Sequence, residues 1–135
     1  KMHEHGSPEA DLCVEPSGST LEEGFAAAQR ILRARTETSA IVGMNDLIAY
    51  GAMQEVLRAG LRVPQDVSIA GFDDDAMFRL LSPGLTPGRV VGAEFGTKAV
   101  RLILNRLKDP ELAEQKAHVN SKLVVRHSTG PAAGG

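Results

Sequence analysis

Hydrophobic positions along this chain recur at two spacings, and the switches between them mark out its elements. Residues 1–10 are polar, with Gly6 and Pro8, and read as the frayed end of a helix and a turn. A chain that opens in mid-element is expected to have lost something upstream. Leu12-Cys13-Val14 is a short apolar run and predicts a strand, and Pro16 to Ser19 predicts a loop. Thr20 and Glu23 have the spacing of a capping box. Leu21, Phe25, Ala28 and Leu32 then fall on one helical face, predicting a helix over 21–35. Ala40 to Met44 predicts a buried strand. Asn45 and Asp46 are both residues that cap a helix, here one running from about 46 to Ala59 and stopping at Gly60. That helix is apolar all round between Leu47 and Met53, so it needs cover on more than one side, from the sheet and from a second partner such as another subunit.

The pattern then repeats. Val67 to Phe72 is a strand, followed at once by Asp73-Asp74-Asp75. Ala76 to Leu81 predicts a short helix broken by Ser82-Pro83-Gly84, and Leu85 to Val91 an extended segment. Phe95, Ala99, Leu102, Ile103 and Leu107 predict an amphipathic helix ending near Pro110, and His118 to Arg126 a last strand centred on Leu123-Val124-Val125. Residues 130–135 predict a flexible tail. Strands alternating with helices point to an α/β fold with a largely parallel sheet. In such sheets ligands sit beyond the carboxyl ends of the strands. That rule selects the Ser17–Ser19 loop, Asn45-Asp46 and Asp73-Asp74.

Composition narrows the function classes. The 135 residues amount to one small domain or part of a larger one. No uncharged stretch approaches the roughly 20 apolar residues of a membrane helix. No basic start precedes an apolar core, so no signal peptide is expected and a cytoplasmic location is. The single Cys13 excludes an internal disulfide and a multi-cysteine zinc site, and its apolar neighbours predict a buried core thiol. Fifteen basic against 17 acidic residues give a net charge of −2, with no basic face fit to neutralise several phosphates. One Tyr, four Phe and no Trp offer no platform for stacking bases.

Three polar groups carry candidate chemistry. Asp73-Asp74-Asp75 reads either as carboxylates for ligand hydroxyls, as a helix cap, or as ligands of a divalent ion, although no further oxygen ligands converge there. Asn45 has an amide that both donates and accepts, which suits sugar hydroxyls or a base edge. His3 and His5 lie in the polar start and read as surface histidines; His118 and His127 have no carboxylate or nucleophile beside them in sequence. No nucleophile elbow, zinc, phosphate-loop or dinucleotide motif is present, so the chain is not expected to be an enzyme, and neither a cofactor nor a metal is expected.

The stretch from Ser39 through Met44-Asn45-Asp46-Leu47 to Gly51-Ala52, continuing Gly60-Leu61-Arg62-Val63-Pro64-Gln65-Asp66-Val67-Ser68-Ile69-Ala70-Gly71-Phe72-Asp73-Asp74, resembles the effector-binding core of the lac repressor/galactose repressor (LacI/GalR) family of bacterial regulators. Leu81-Ser82-Pro83, Leu85-Thr86 and Leu123 to Arg126 with Ser128-Thr129 extend the resemblance over about residues 4–129. It implies a periplasmic binding protein-like I fold, a parallel-sheet Rossmann-like sandwich of which this chain is an incomplete fragment without the first strands of both lobes. Residues of about 1–84 and 111–129 would belong to the C-terminal lobe, and about 85–110 would cross into the N-terminal lobe. It also implies that Asn45 and Asp73 hydrogen-bond an effector, usually a sugar. Ser19 stands where the family carries a stacking aromatic. Of the family's T-T-V-R-Q crossover, Thr86 and Arg89 remain, so Arg89 and Asp74 are secondary ligand candidates, while Asp46 and Asp74 match positions that are more often structural. A homodimer through Leu47, Tyr50, Met53, Met77, Phe78 and Leu81 is implied, with operator DNA bound only through a helix-turn-helix that this chain lacks. The alternatives are a sugar transporter's solute-binding protein of the same fold, which would be exported and monomeric, and a small α/β enzyme using Asp73 or Asp74.

Overall fold

A computed structural model describes residues 12–131. The polar start with His3 and His5, and residues 132–135 of the tail, lie outside the described residues. Helix α1 spans Leu21–Ala34 and starts where its chemistry says: the Thr20 hydroxyl accepts from the Glu23 N–H at 3.3 Å, and the Glu23 carboxylate accepts from the Thr20 N–H at 3.1 Å. Strand β1 is Ala40–Val42, and α2 runs Asp46–Arg58 behind an Asn45 cap. Gly60 ends that helix with φ +82°, a left-handed conformation that costs glycine least. Strand β2 is Ser68–Phe72, and a 3-10 turn covers Ala76–Leu80. Strand β3 is Thr86–Val90, α3 is Gly92–Lys108 and β4 is Ser121–Leu123.

The four strands form one sheet in the order β1-β2-β3-β4. β1, β2 and β3 are parallel, with Ile41 opposite Ile69 and Phe72 opposite Gly88; β4 runs antiparallel to β3. The α/β expectation therefore holds, with one antiparallel edge. Ile41, Ile69 and Leu85 are buried on one face of the sheet in a cluster with Ala49, Ala52, Met53 and Val56 of α2. The chain returns to the sheet after β4. The buried Ser128 hydroxyl accepts from the Thr86 N–H at 2.8 Å and donates to the Ile69 carbonyl at 2.6 Å, and the Ile69 N–H donates to the Ser128 carbonyl. This wedge ties the amino ends of β2 and β3 together.

Several expectations are corrected. Leu12–Val14 is not a strand, and Cys13 is exposed. These residues face β1 across a cleft of about 620 Å³ lined with apolar side chains, so they have no ladder to join. Thr86–Val90, within the segment expected to be extended, is a strand of the same sheet. The apolar helix α2 finds its second cover within the chain. Gly24 of α1 packs on the Ile48 backbone and Gly51 packs on Leu21 and Phe25, while the Phe78 ring lies 5.4 Å from that of Tyr50. Met53 and Phe78 are consequently buried within the chain itself, 1% and 3% exposed. α3 differs from the other helices: none of its residues is buried, and Val100, Ile103, Leu104 and Leu107 form an apolar stripe that no other described residue covers fully.

Candidate functional site

The parallel strands β1 and β2 end side by side, and the candidate residues follow directly from them. The Gly43 N–H still donates to the Ala70 carbonyl, so Asn45 and Asp73 are carried to the same edge. Asn45 has an extended backbone, and its Oδ1 accepts from the Ile48 N–H at 2.8 Å, capping α2. Its Nδ2 donates to the Ser19 carbonyl at 3.4 Å. One amide therefore caps a helix and joins the loop before α1 to the loop after β1, which brings Ser19 and Asn45 together as expected. The cap uses one lone pair of the oxygen and the Ser19 contact uses one N–H, so donor and acceptor capacity both remain.

Asp73 and Asp74 are neighbours with opposite fates. Both have positive φ, 121° and 65°, which is costly for a side chain larger than glycine and persists only when surrounding contacts fix it. The Asp73 N–H donates to the Gly88 carbonyl at 3.0 Å. Its carboxylate is exposed and makes no hydrogen bond or ion pair with any described residue. Asp74 instead turns inward. Its carboxylate is 1% exposed and is shared by Arg79 (3.1 Å), Arg89 and Arg126. Burial would push its pKa up, but the hydrogen bonds from Arg126 and Arg89 and the nearby positive charges outweigh that and hold it below the ordinary aspartate value. With both oxygens paired, Asp74 anchors this turn. Arg89 is half-exposed, with its Nε on Asp74.

Asp46, the first residue of α2, is buried beneath this turn at 3% exposure. Its Oδ2 accepts from the Asp75 N–H at 2.8 Å, and its Oδ1 has no hydrogen-bond partner among the described residues. That oxygen lies over Gly71, where an added Cβ would come within 2.4 Å. Burial raises its pKa, only partly offset by the backbone N–H groups of Asp75 and Asp74, and the neighbouring Asp73 and Asp74 charges add to the rise. The resemblance placed Asp46 among the structural positions, but nothing in the residue pattern signalled that it reaches Asp75 or that Arg79 and Arg126 are partners of Asp74. Among the described residues no group of three or more His, Cys, Asp or Glu is placed to hold a metal. No helix among them is long and apolar enough to cross a membrane.

This edge of the sheet, with polar groups beyond the carboxyl ends of parallel strands, matches known proteins over almost the whole chain. Residues 1–129 match the family model of the periplasmic binding protein-like domain. The chain belongs to that family. Its relatives within it are LacI-type regulators. The ribose operon repressor of Haemophilus influenzae is 34% identical over 125 residues, covering 89% of this chain and 38% of that protein. The transcriptional regulator MalR of Streptomyces coelicolor is 36% identical over 121 residues, covering 90% of this chain and 35% of that protein. Among solved structures, a LacI family regulator from Arthrobacter sp. FB24 superposes with a TM-score of 0.77 at 29% identity, covering 96% of this chain and 48% of that one. One from Enterococcus faecium, with bound ribose, gives 0.76 at 25% identity, again over 96% and 48%. The chain thus spans about two fifths of the length of the curated relatives it matches. These relatives are transcription regulators, not enzymes.

Proposed function

We propose that this chain is part of the effector-binding and dimerisation core of a bacterial transcription regulator, and that its effector is a sugar or another small polar molecule. The observation that carries this reading is Asp73: a solvent-facing carboxylate without a protein partner, fixed in a left-handed conformation at the carboxyl end of β2, beside Asn45. A strained, unsatisfied acceptor at this place is suited to ligand hydroxyls. Ser19, at the mouth of the same edge, offers a hydroxyl where an aromatic would provide a large stacking area, which favours a smaller or more polar effector over a stacked pyranose. Arg89 adds half-exposed N–H donors nearby. Effector binding would act by favouring one of two lobe arrangements over the other. The solute-binding alternative is disfavoured because the relatives are repressors and regulators.

A thermal-shift screen of pentoses, hexoses and disaccharides on the full-length protein tests the reading, and calorimetry follows with the sugar that shifts the melting temperature most. Asp73→Ala is expected to weaken that sugar's binding by roughly 10- to 100-fold, the loss of one hydrogen bond to a charged group, with the melting temperature of the free protein unchanged. Unchanged affinity removes Asp73 from the site, and no shift by any sugar overturns a sugar effector.

The partner surface is proposed on Leu47, Tyr50, Met77 and Leu81, extended by Leu80, which is 93% exposed. We place α3 with its apolar stripe in a second lobe. An apolar cluster on a two-fold axis makes a self-complementary contact. In the full-length protein, Met77→Asp with Leu80→Asp is expected to give a folded monomer by sedimentation velocity at tens of micromolar. A double variant that still sediments as a dimer refutes this surface.

A further inference from the structure

We propose that Asp46 is a positioning residue for the site, holding Asp73 in its ligand-facing conformation through the Asp75 backbone. This rests on the reading of Asp73 as an effector contact. The turn Asp73–Asp75 departs from β2 through two left-handed non-glycine residues, and such a path needs external fixation. Three contacts supply it. The Gly88 carbonyl takes the Asp73 N–H, the three arginines hold the Asp74 carboxylate, and Asp46 takes the Asp75 N–H. The first two act from β3 and its surroundings. Asp46 is the contact that comes from α2, the helix that Asn45 caps, so it couples the two ligand-bearing loops.

The arrangement is not explained by helix capping. Asn45 already fills the cap position with its own side chain, so Asp46 is free to point across to β2. It does so at a cost, since a carboxylate buried with one oxygen unpaired is unfavourable. Gly71 beneath it leaves the room that Asp46 occupies, because any Cβ there would collide with Oδ1. The backbone of β2 and the side chain of α2 are thus matched, and the product of the match is the fixed N–H of Asp75.

Residue-resolved amide exchange on the full-length protein, without any ligand, tests this. Asp46→Ala is expected to speed exchange of the Asp75 amide and also of the Asp73 amide by roughly tenfold or more, as the turn opens locally. The amides of Gly43, bonded to Ala70 of β2, and of Ile69, bonded to the returning Ser128, should keep wild-type protection. Asp46→Asn retains a carbonyl acceptor and is expected to stay within about threefold of wild type. If Asp46→Ala does not fold, Asp46→Ser, whose hydroxyl is too short to reach Asp75, replaces it. Exchange at Asp73 that is unchanged in the Ala or Ser variant overturns the proposal, since Asp46 would then fix Asp75 alone. An Asn variant that behaves like Ala overturns it as well, because charge and not the hydrogen bond would be responsible. Neither outcome touches the sugar-binding reading, which the Asp73→Ala calorimetry decides separately.

Discussion

Asp74→Ala is expected to destabilise the fold by about 3 kcal/mol, the low end for breaking one partner out of a buried ion pair. The figure rests on Arg126. Arg79 and Arg89 are nearly half-exposed, and water re-solvates them when the carboxylate is gone, so their pairs contribute little. Arg126 is mostly buried, and its other guanidinium nitrogen is fixed on the Leu85 carbonyl, so it keeps an uncompensated charge. The effect has a defined pH dependence. The Asp74 pKa is lowered in the folded chain, so the unfolded state binds the proton first and the contribution is fully present above the ordinary aspartate range. It is lost as pH falls through the lowered value. Asp46 works in the opposite sense: with its pKa raised on folding, stability from that group increases as pH falls from the raised value toward the ordinary one. Denaturant unfolding of wild type and variant at neutral and at strongly acid pH measures this. The gap between them should be large at neutral pH and should narrow in acid. A neutral-pH gap below about 1 kcal/mol would mean that Arg126 also finds water.

Gly51→Ala should cost about 2 kcal/mol, although alanine is the better helix former. In the interior of an exposed helix the change is favourable by about 1 kcal/mol. Here a Cβ would stand 2.1 Å from the Leu21 carbonyl oxygen and 2.8 Å from the Phe25 nitrogen. Both are backbone atoms of α1, which cannot rotate away as a side chain can. Gly24 meets α2 in the same manner, 2.4 Å from the Ile48 carbonyl oxygen, so each helix backbone rests on the other and separating them opens the shared core. Overpacking of this kind costs roughly 1–3 kcal/mol, occasionally more. Gly96→Ala in α3 is the matched control: nothing lies within 4 Å of its Cβ position, so the same substitution should stabilise by up to about 1 kcal/mol. Opposite signs for the two variants in thermal unfolding support close backbone packing of α1 on α2; a stabilising Gly51→Ala would refute it.

The parts of this fold that the sequence made legible are those decided within about one turn of chain. Thr20 with Glu23, Asn45 before α2 and Gly60 after it act on backbone groups three or four residues away, so spacing alone locates them. The strand-helix alternation likewise set the parallel sheet, and with it the edge where Ser19, Asn45 and Asp73 sit. The resemblance supplied the roles proposed for those residues, which no spacing gives. What stayed hidden depends on partners far along the chain. Asp73 and Asp74 are the same residue type in adjacent positions. Arg126, 52 residues on, and Arg89, 15 on, bury one and leave the other to solvent. Leu80 and Phe78 are both large and apolar, but only Phe78 meets Tyr50. Met53 faced a partner as plausibly as a core until α1 and the sheet closed around α2. Cys13 sat in an apolar run but had no strand beside it to bury against. Periodicity and caps express local hydrogen bonding, which the order of residues contains. Burial and charge pairing depend on which distant segments the folded chain brings within a few ångströms, and that was settled only when the sheet, its helices and the returning segment at Ser128 came together.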